Sequence, residues 1–513
     1  MVVRTRRQFC EQVGRGMLVA SVGATMVADL GLAPAQADTQ RETPSFGARE
    51  ALVGLMQDTP LERFLPKMIE QIRQGTSLRE LVAAAALANT RKFGGEDYIG
   101  FHTLMALAPA WQMSGEMPSS SAALPVLKVL YRNASRIQDT GGRASEVLHP
   151  IKPSQLSGKA AEDALRAAVR GRRVDEAEAA FAALAQGSPL ETFNHLLTIV
   201  EDNTDVHRVV LPYRAWVLLD LVGAEQAHTM LRQSLRYCVD NEKHNDGRVR
   251  RALAKVLDQY KLVGRPLGNR QVDDAWIDRM SGTLLQASDE QGANAVGAAL
   301  HEGIAAASIA EAITLAANQI LLRDPGRRPQ QACDLKPAGS VHGDSMGVHA
   351  SDAVNAWINM SQVANDKHQA AALILAGYEV ARDSKRDPNL PKATPRPLPE
   401  DLAHVRATDP QALLKDLDAA IRANAQGVAS AIVHQYGASG HAPRPVFDLL
   451  LKYATSEDGA LHAEKYYQTV SQEFARSRPA FRWRQLVGLA RVTASEYGRR
   501  AAGYDDACRL LGV

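Results

Sequence analysis

Apolar residues recur at three- and four-residue spacing along almost the whole chain, and that period confines it to a helical fold. Leu61, Phe64, Leu65, Met68, Ile69 and Ile72 form one stripe, and Leu78, Leu81, Val82, Ala85 and Ala86 form another. A stripe of this kind marks a helix that buries one face. Val209, Tyr213, Trp216, Val217, Leu218, Leu219 and Leu221 crowd a further segment on most sides, as expected of a helix inside a core. No run of alternating β-branched residues reads as a strand. The pattern predicts an all-α fold with no substantial β-sheet, built from helices of about 10 to 20 residues.

A second regularity has a much longer period. Gly100-Phe101-His102-Thr103 precedes Ala110-Trp111 and Met113-Ser114, and Gly347-Val348-His349-Ala350 precedes Ala356-Trp357 and Met360-Ser361. Further blocks keep the same order. Ser77 to Glu80 resembles Ser308 to Glu311, Asp163 to Arg170 resembles Lys415 to Arg422, and Pro189 with Phe193, Leu196 and Leu197 matches Pro443 with Phe447, Leu450 and Leu451. His207 leads to Tyr213 as His462 leads to Tyr467. Offsets of about 230 to 255 residues imply two domain-sized, pseudo-repeated halves rather than a short-period solenoid.

Breaks fall where glycine and proline collect: Gly94-Gly95, Pro118 to Ser121, residues 137–160, Asp324 to Pro329, and the proline-rich stretch 385–401. The chain therefore divides into a leader over 1–37, a first helical half over 45–265 and a second over 270–513, with the boundary near Gly264 to Gly268.

Thr5-Arg6-Arg7-Gln8-Phe9 resembles the core of a twin-arginine (Tat) export signal. A weakly apolar stretch from Gly16 to Ala28 follows, and Ala35-Gln36-Ala37 offers a small-residue cleavage site after Ala37. The resemblance implies engagement of the Tat translocase through Arg6 and Arg7, and a periplasmic or secreted product. Tat passengers fold before export, and many carry a cofactor. The apolar stretch is shorter than the roughly 20 residues a bilayer needs, so no stable membrane insertion is expected. The leader holds four arginines and two acids, so 59 basic and 57 acidic residues become 55 of each in the mature chain. No basic field remains to suggest nucleic acid or anionic lipid. Cys238, Cys333 and Cys508 are too scattered for a disulfide framework or a thiolate metal site, and read as buried thiols.

The most informative loop is the stretch from Asp324 to about Gly343, which has no counterpart in the first half. It delivers His342-Gly343-Asp344-Ser345-Met346-Gly347-Val348-His349. Asp344 or Ser345 is placed to cap the helix that follows. His349 and Asp352 are three apart and share a helix face, so the carboxylate can orient the imidazole as base or metal ligand. These two are the candidate catalytic residues. His349, His342, His207, His102, His228 and His301 are the candidate metal ligands. His228 follows Glu225 by three residues, and His301 is followed by Glu302 without the second histidine of H-E-x-x-H. A single helical histidine is more often a satisfied polar residue than a ligand. Neutral imidazoles with a few carboxylates suit iron, zinc, copper or haem, and nothing in the spacing chooses among them. Glu201-Asp202 and Asp505-Asp506 read as solvated turns. Gly343-Asp344-Ser345-Met346-Gly347 matches the serine-hydrolase elbow, but that chemistry needs a strand before Ser345, and Lys336 to Ser340 do not form one.

The stretches from Arg91 to Ser114 and from Gly339 to Trp357 resemble Tat-exported bacterial helical proteins of unassigned function. Their histidine-bearing helices are similar to those of questin-oxidase-like proteins, which are implicated in oxygen insertion into ketones. The resemblance implies an oxidoreductase acting on a small-molecule ligand and carries over no catalytic residue. A non-catalytic helical binding or scaffold protein is the alternative, and a hydrolase centred on Ser345 is a further one.

Overall fold

The computed structural model describes residues 44–334 and 336–513. Arg6, Arg7 and the cleavage site after Ala37 lie outside the described residues. Within them the chain forms 23 α-helices joined by turns and short 3-10 segments. Extended pairing among the described residues amounts to isolated bridges, with no strand. The fold is all-α, as the helical period requires. None of these helices is long and apolar enough to cross a membrane.

The helices begin where local chemistry lets them. Ser188 and Glu191 close a capping box ahead of Pro189, and Ser288 and Gln291 do the same ahead of Asp289. Such boxes satisfy N–H groups that a helix start leaves free, at about 1 kcal/mol each. The stripe in Leu61–Arg73 buries Phe64, Leu65, Met68 and Ile69. Leu78–Lys92 is enclosed from Leu81 to Lys92, because Ala83 to Ala86 let neighbouring helices close on all sides.

The chain divides into two compact units. The first takes in the described residues up to Trp111 together with Val129–Arg250 and Asn359–Gln369. The second takes in Gln112–Lys128, Arg251–Ile358 and Ala370–Val513. The irregular link anticipated near Gly264 lies between the helices that end at Gln259 and start at Asp274. The division itself falls at Arg250, and each unit also holds a short piece from the other half of the sequence.

Two runs of eight helices follow one another along the chain. The first is Leu78–Lys92, Tyr98–Ser114, Leu124–Asp139, Gly158–Arg170, Val174–Leu184, Pro189–Val200, Val206–Val222 and Ala227–Asn241. The second is Ala306–Arg323, Met346–Val363, Asp366–Ser384, Pro410–Arg422, Gln426–Ala438, Arg444–Ser456, His462–Arg476 and Trp483–Glu496, with the short helix Pro399–Ala403 interposed. Ala227–Asn241 packs on Val174–Leu184, Pro189–Val200 and Val206–Val222. Trp483–Glu496 packs on Gln426–Ala438, Arg444–Ser456 and His462–Arg476. One aligned block slips: Ser77 caps its helix, whereas Ser308 stands in the third position of Ala306–Arg323.

Two readings of the sequence need correction. Glu201 and Asp202 are buried, not solvated. His368 Nδ1 lies 2.6 Å from Glu201, and Arg170 and Arg250 lie 3.1 and 3.0 Å from Asp202. A buried carboxylate persists when a cation or imidazole compensates its lost hydration, and the partners come from positions remote in sequence. Of Cys238, Cys333 and Cys508 only Cys238 is buried. Cys333 is exposed because the loop that carries it runs over the surface.

Candidate functional site

The helix Met346–Val363 starts against Leu321. A Cβ at Gly347 would overlap the Leu321 backbone, so the glycine two residues before His349 is required by close packing. Gly100, two residues before His102, meets the Phe93 ring in the same way, at 2.6 Å from where its Cβ would stand. In the second unit this seating brings His349 Nε2 to 3.3 Å from His462 Nε2. His462 Nδ1 lies 3.1 Å from the Ala460 carbonyl. A carbonyl only accepts, so His462 carries its proton on Nδ1. Its Nε2 is then the acceptor, and His349 donates from Nε2.

His462 opens its helix from an unusual turn. Gly459, Ala460 and Leu461 all have positive φ, at 50°, 47° and 66°. Left-handed alanine and leucine cost on the order of 1–2 kcal/mol each. The turn aims the Ala460 carbonyl at His462, and Gly343 presses on the other side. A Cβ at Gly343 would overlap that of His462.

Gly343 also donates its N–H to Glu496 Oε1 at 2.7 Å, at the C-terminal end of Trp483–Glu496. Burial pushes the Glu496 carboxyl up to about 7. The Gly343 hydrogen bond and Lys128 oppose the shift, and the charges of Asp344 and Glu464 add to it. Lys128 is itself buried. Its Nζ reaches the Ala454 and Glu457 carbonyls at 2.8 and 2.6 Å and lies 2.6 Å from Glu464 Oε1, while Glu464 Oε2 is buried without a partner. Lys128, Glu464 and Glu496 form a charged cluster in the second unit that the sequence reading missed. Their spacing along the chain gives no local signal.

The insertion is pinned rather than loose. Arg327 and Lys336 both pair with Asp344, at 2.9 and 2.7 Å, and outweigh the burial that would raise its pKa. Asp344 is thereby taken from capping, and Ser345 Oγ lies 3.5 Å from the Val348 N–H. Val341 N–H donates to Ser495 Oγ at 2.8 Å. The result is a cavity of about 30 Å³ lined by His342, Gly343, His462 and Glu496, with Lys336 and Arg499 at its wall. His342 is buried there with no partner for Nε2. Burial, followed by Lys336, lowers its pKa to about 4, so it is neutral above that pH. The space suits one or two waters, or the polar end of a ligand.

The other candidates sort as follows. Asp352 is buried and Oδ1 accepts from Thr469 Oγ1 at 2.7 Å, seven residues beyond His462 on the same helix. His102 and His207 come together in the first unit with ring centroids 4.8 Å apart, among Tyr98, Phe101 and Tyr237. His228 is stacked on Phe181. His301 is exposed and lies 3.0 Å from the Tyr260 carbonyl and 3.1 Å from Arg265. Among the described residues no group of three or more His, Cys, Asp or Glu is disposed to hold a metal ion. The elbow reading of Ser345 lacks the strand it needs, since the described residues form none.

No family model, curated protein or solved structure matches this chain.

Proposed function

We propose that the second unit is an acid–base catalytic site for a small polar substrate, in an enzyme exported by the Tat route. One observation carries the reading: Glu496, whose carboxyl burial pushes up to about 7, and His342, whose Nε2 has no partner, line one cavity with His462, itself bonded to His349. Groups tuned this way cluster where protons are exchanged. Glu496 gives or takes a proton near pH 7. His342, neutral above about pH 4, offers a lone pair or an N–H to a ligand or water. His349 and His462 pass a hydrogen bond to the Ala460 carbonyl and hold one ring orientation. The two runs of eight helices further support descent from a duplicated half, with the insertion as the later addition.

The test is long-range proton–nitrogen NMR of the imidazoles in the folded mature protein. The reading expects His349 protonated at Nε2, His462 at Nδ1, and His342 neutral across pH 5 to 8. A His462 protonated at Nε2, or a His342 titrating in the ordinary histidine range, removes it. Export is tested separately, by changing both Arg6 and Arg7 to Lys. Precursor retained in the cytoplasm supports the Tat route, and unchanged export refutes it.

A second reading, a metal-dependent oxidoreductase, draws on one distance. Two nitrogens bound at about 2.0–2.1 Å to a tetrahedral ion stand about 3.3 Å apart, which matches His349 and His462. Stoichiometric iron, zinc or copper in the purified protein, lost in His349→Ala, would favour it over the first. Metal-free protein with the expected tautomers excludes it.

A further inference from the structure

A cleft of about 430 Å³ opens elsewhere in the second unit, between the helices Asp274–Gln286, Ala306–Arg323 and Trp483–Glu496. The size lies within the range of about 300–1,000 Å³ typical of small-molecule pockets. Its floor is apolar, formed by Leu285, Leu322 and Val487, all buried. Its wall holds three guanidinium groups and one carboxylate. Arg396 is paired with Asp401 at 2.7 Å, and Arg484 stands 3.5 Å from Asp278. Arg323 is different. It bonds Gln319 Oε1 and the Ala393 carbonyl, and no carboxylate among the described residues pairs with it. Burial moves its pKa down with no acid acting on it.

Gly282 gives a second, independent sign. It sits inside the helix Asp274–Gln286, where glycine costs about 1 kcal/mol relative to alanine. A Cβ there would meet no protein atom within 4 Å, so packing does not require the glycine. The position lines the cleft, and its bareness keeps the cleft open.

We propose that this cleft binds a small amphipathic carboxylate, its anionic end on the Arg323 guanidinium and its apolar body against Leu285, Leu322 and Val487. A guanidinium fork matches a carboxylate geometrically, and an unpaired one beside apolar surface gains most from an anion that carries its own apolar tail. The site is separate from the Glu496 cavity. Arg484 and Glu496 share a helix and stand about 18 Å apart along its axis at 1.5 Å per residue. The proposal does not rest on the acid–base reading.

The test is calorimetric titration of the full mature protein at pH 7 with octanoate, octan-1-ol and octylammonium as probes. Octanoate binds one site, and the neutral and cationic probes bind at least tenfold more weakly. Arg323→Gln weakens octanoate at least tenfold with helix content unchanged. Gly282→Leu, at an exposed helix position, blocks the cleft without touching a charge and abolishes binding even where Arg323→Gln folds poorly. Equal binding of octanol and octanoate, absence of octanoate binding at millimolar concentration, or full binding by Gly282→Leu overturns the proposal.

Discussion

In the first unit His102 and His207 pack as rings, with centroids 4.8 Å apart and walled by Tyr98, Phe101 and Tyr237. In the second, His349 and His462 meet nitrogen to nitrogen at 3.3 Å. Tyr98–Ser114 and Val206–Val222 carry the first pair, and Met346–Val363 and His462–Arg476 carry the second. The helix starts differ. Asp205 caps Val206–Val222 by accepting from the His207 and Arg208 N–H groups, both at 3.1 Å. His462–Arg476 starts from the left-handed turn Gly459 to Leu461, with no side-chain cap. The left-handed residues that the start of Val206–Val222 does without stand at the start of His462–Arg476, where they set the His462 ring against Gly343. Strain of this kind concentrates at functional positions. At the second pair the left-handed turn and Gly343 set the His462 ring beside the cavity that Glu496 lines.

The largest effect should come from Lys128. Changing it to Met leaves the Glu464 carboxylate buried and unpaired. Breaking such a pair costs about 3–5 kcal/mol, read as a fall in the urea midpoint at constant slope. Arg208→Met in the first unit should cost less, because Glu242 keeps Arg250 at 2.9 Å and Asn245 at 2.9 Å. A loss under 1 kcal/mol for Lys128→Met would mean that the cluster near Glu496 is not dry.

The pH dependence of stability separates the insertion's contribution. Glu496 is raised from 4.5 to about 7, so the folded state holds a proton that the unfolded chain releases, and stability falls as pH rises through that window. His342 is lowered from 6.5 to about 4, so stability rises between those values. Each displacement corresponds to about 3 kcal/mol, and the two offset between about pH 4.5 and 6.5. Relative to the parent, Glu496→Gln should gain stability as pH rises and His342→Gln should lose it. Parallel profiles in denaturant titrations at stepped pH would show that neither group is perturbed.

Much of this architecture is legible in the amino-acid order. The 3.6-residue period at Leu61 to Ile72 gives helices, and the Gly-x-His blocks locate the two seats against Phe93 and Leu321. His349 and His342 are findable because an insertion without a counterpart delivers them. Glu496, Lys128 and Glu464 are not, because each sits in an ordinary amphipathic helix and acquires meaning only when the chain closes around it. His462 shows the same limit. Its importance comes from the backbone conformation of Ala460 and Leu461, two residues whose side chains predict nothing unusual.

Ring substitutions should have the smallest effects and sharpen the contrast. His207→Phe keeps an aromatic packed among aromatics and should cost about 1 kcal/mol or less. His462→Phe removes the bond to Ala460 and leaves the His349 Nε2–H without its acceptor, a loss of about 2 kcal/mol. Equal costs in thermal melts would erase the distinction between the two pairs.

Carbon NMR of the Glu496 side-chain carboxyl, assigned by its absence in Glu496→Gln, decides whether the second unit holds a carboxyl tuned to neutral pH. A buried Glu496 carboxyl should show a midpoint near 7 in the folded protein. A midpoint in the ordinary glutamate range near 4.3 would contradict it.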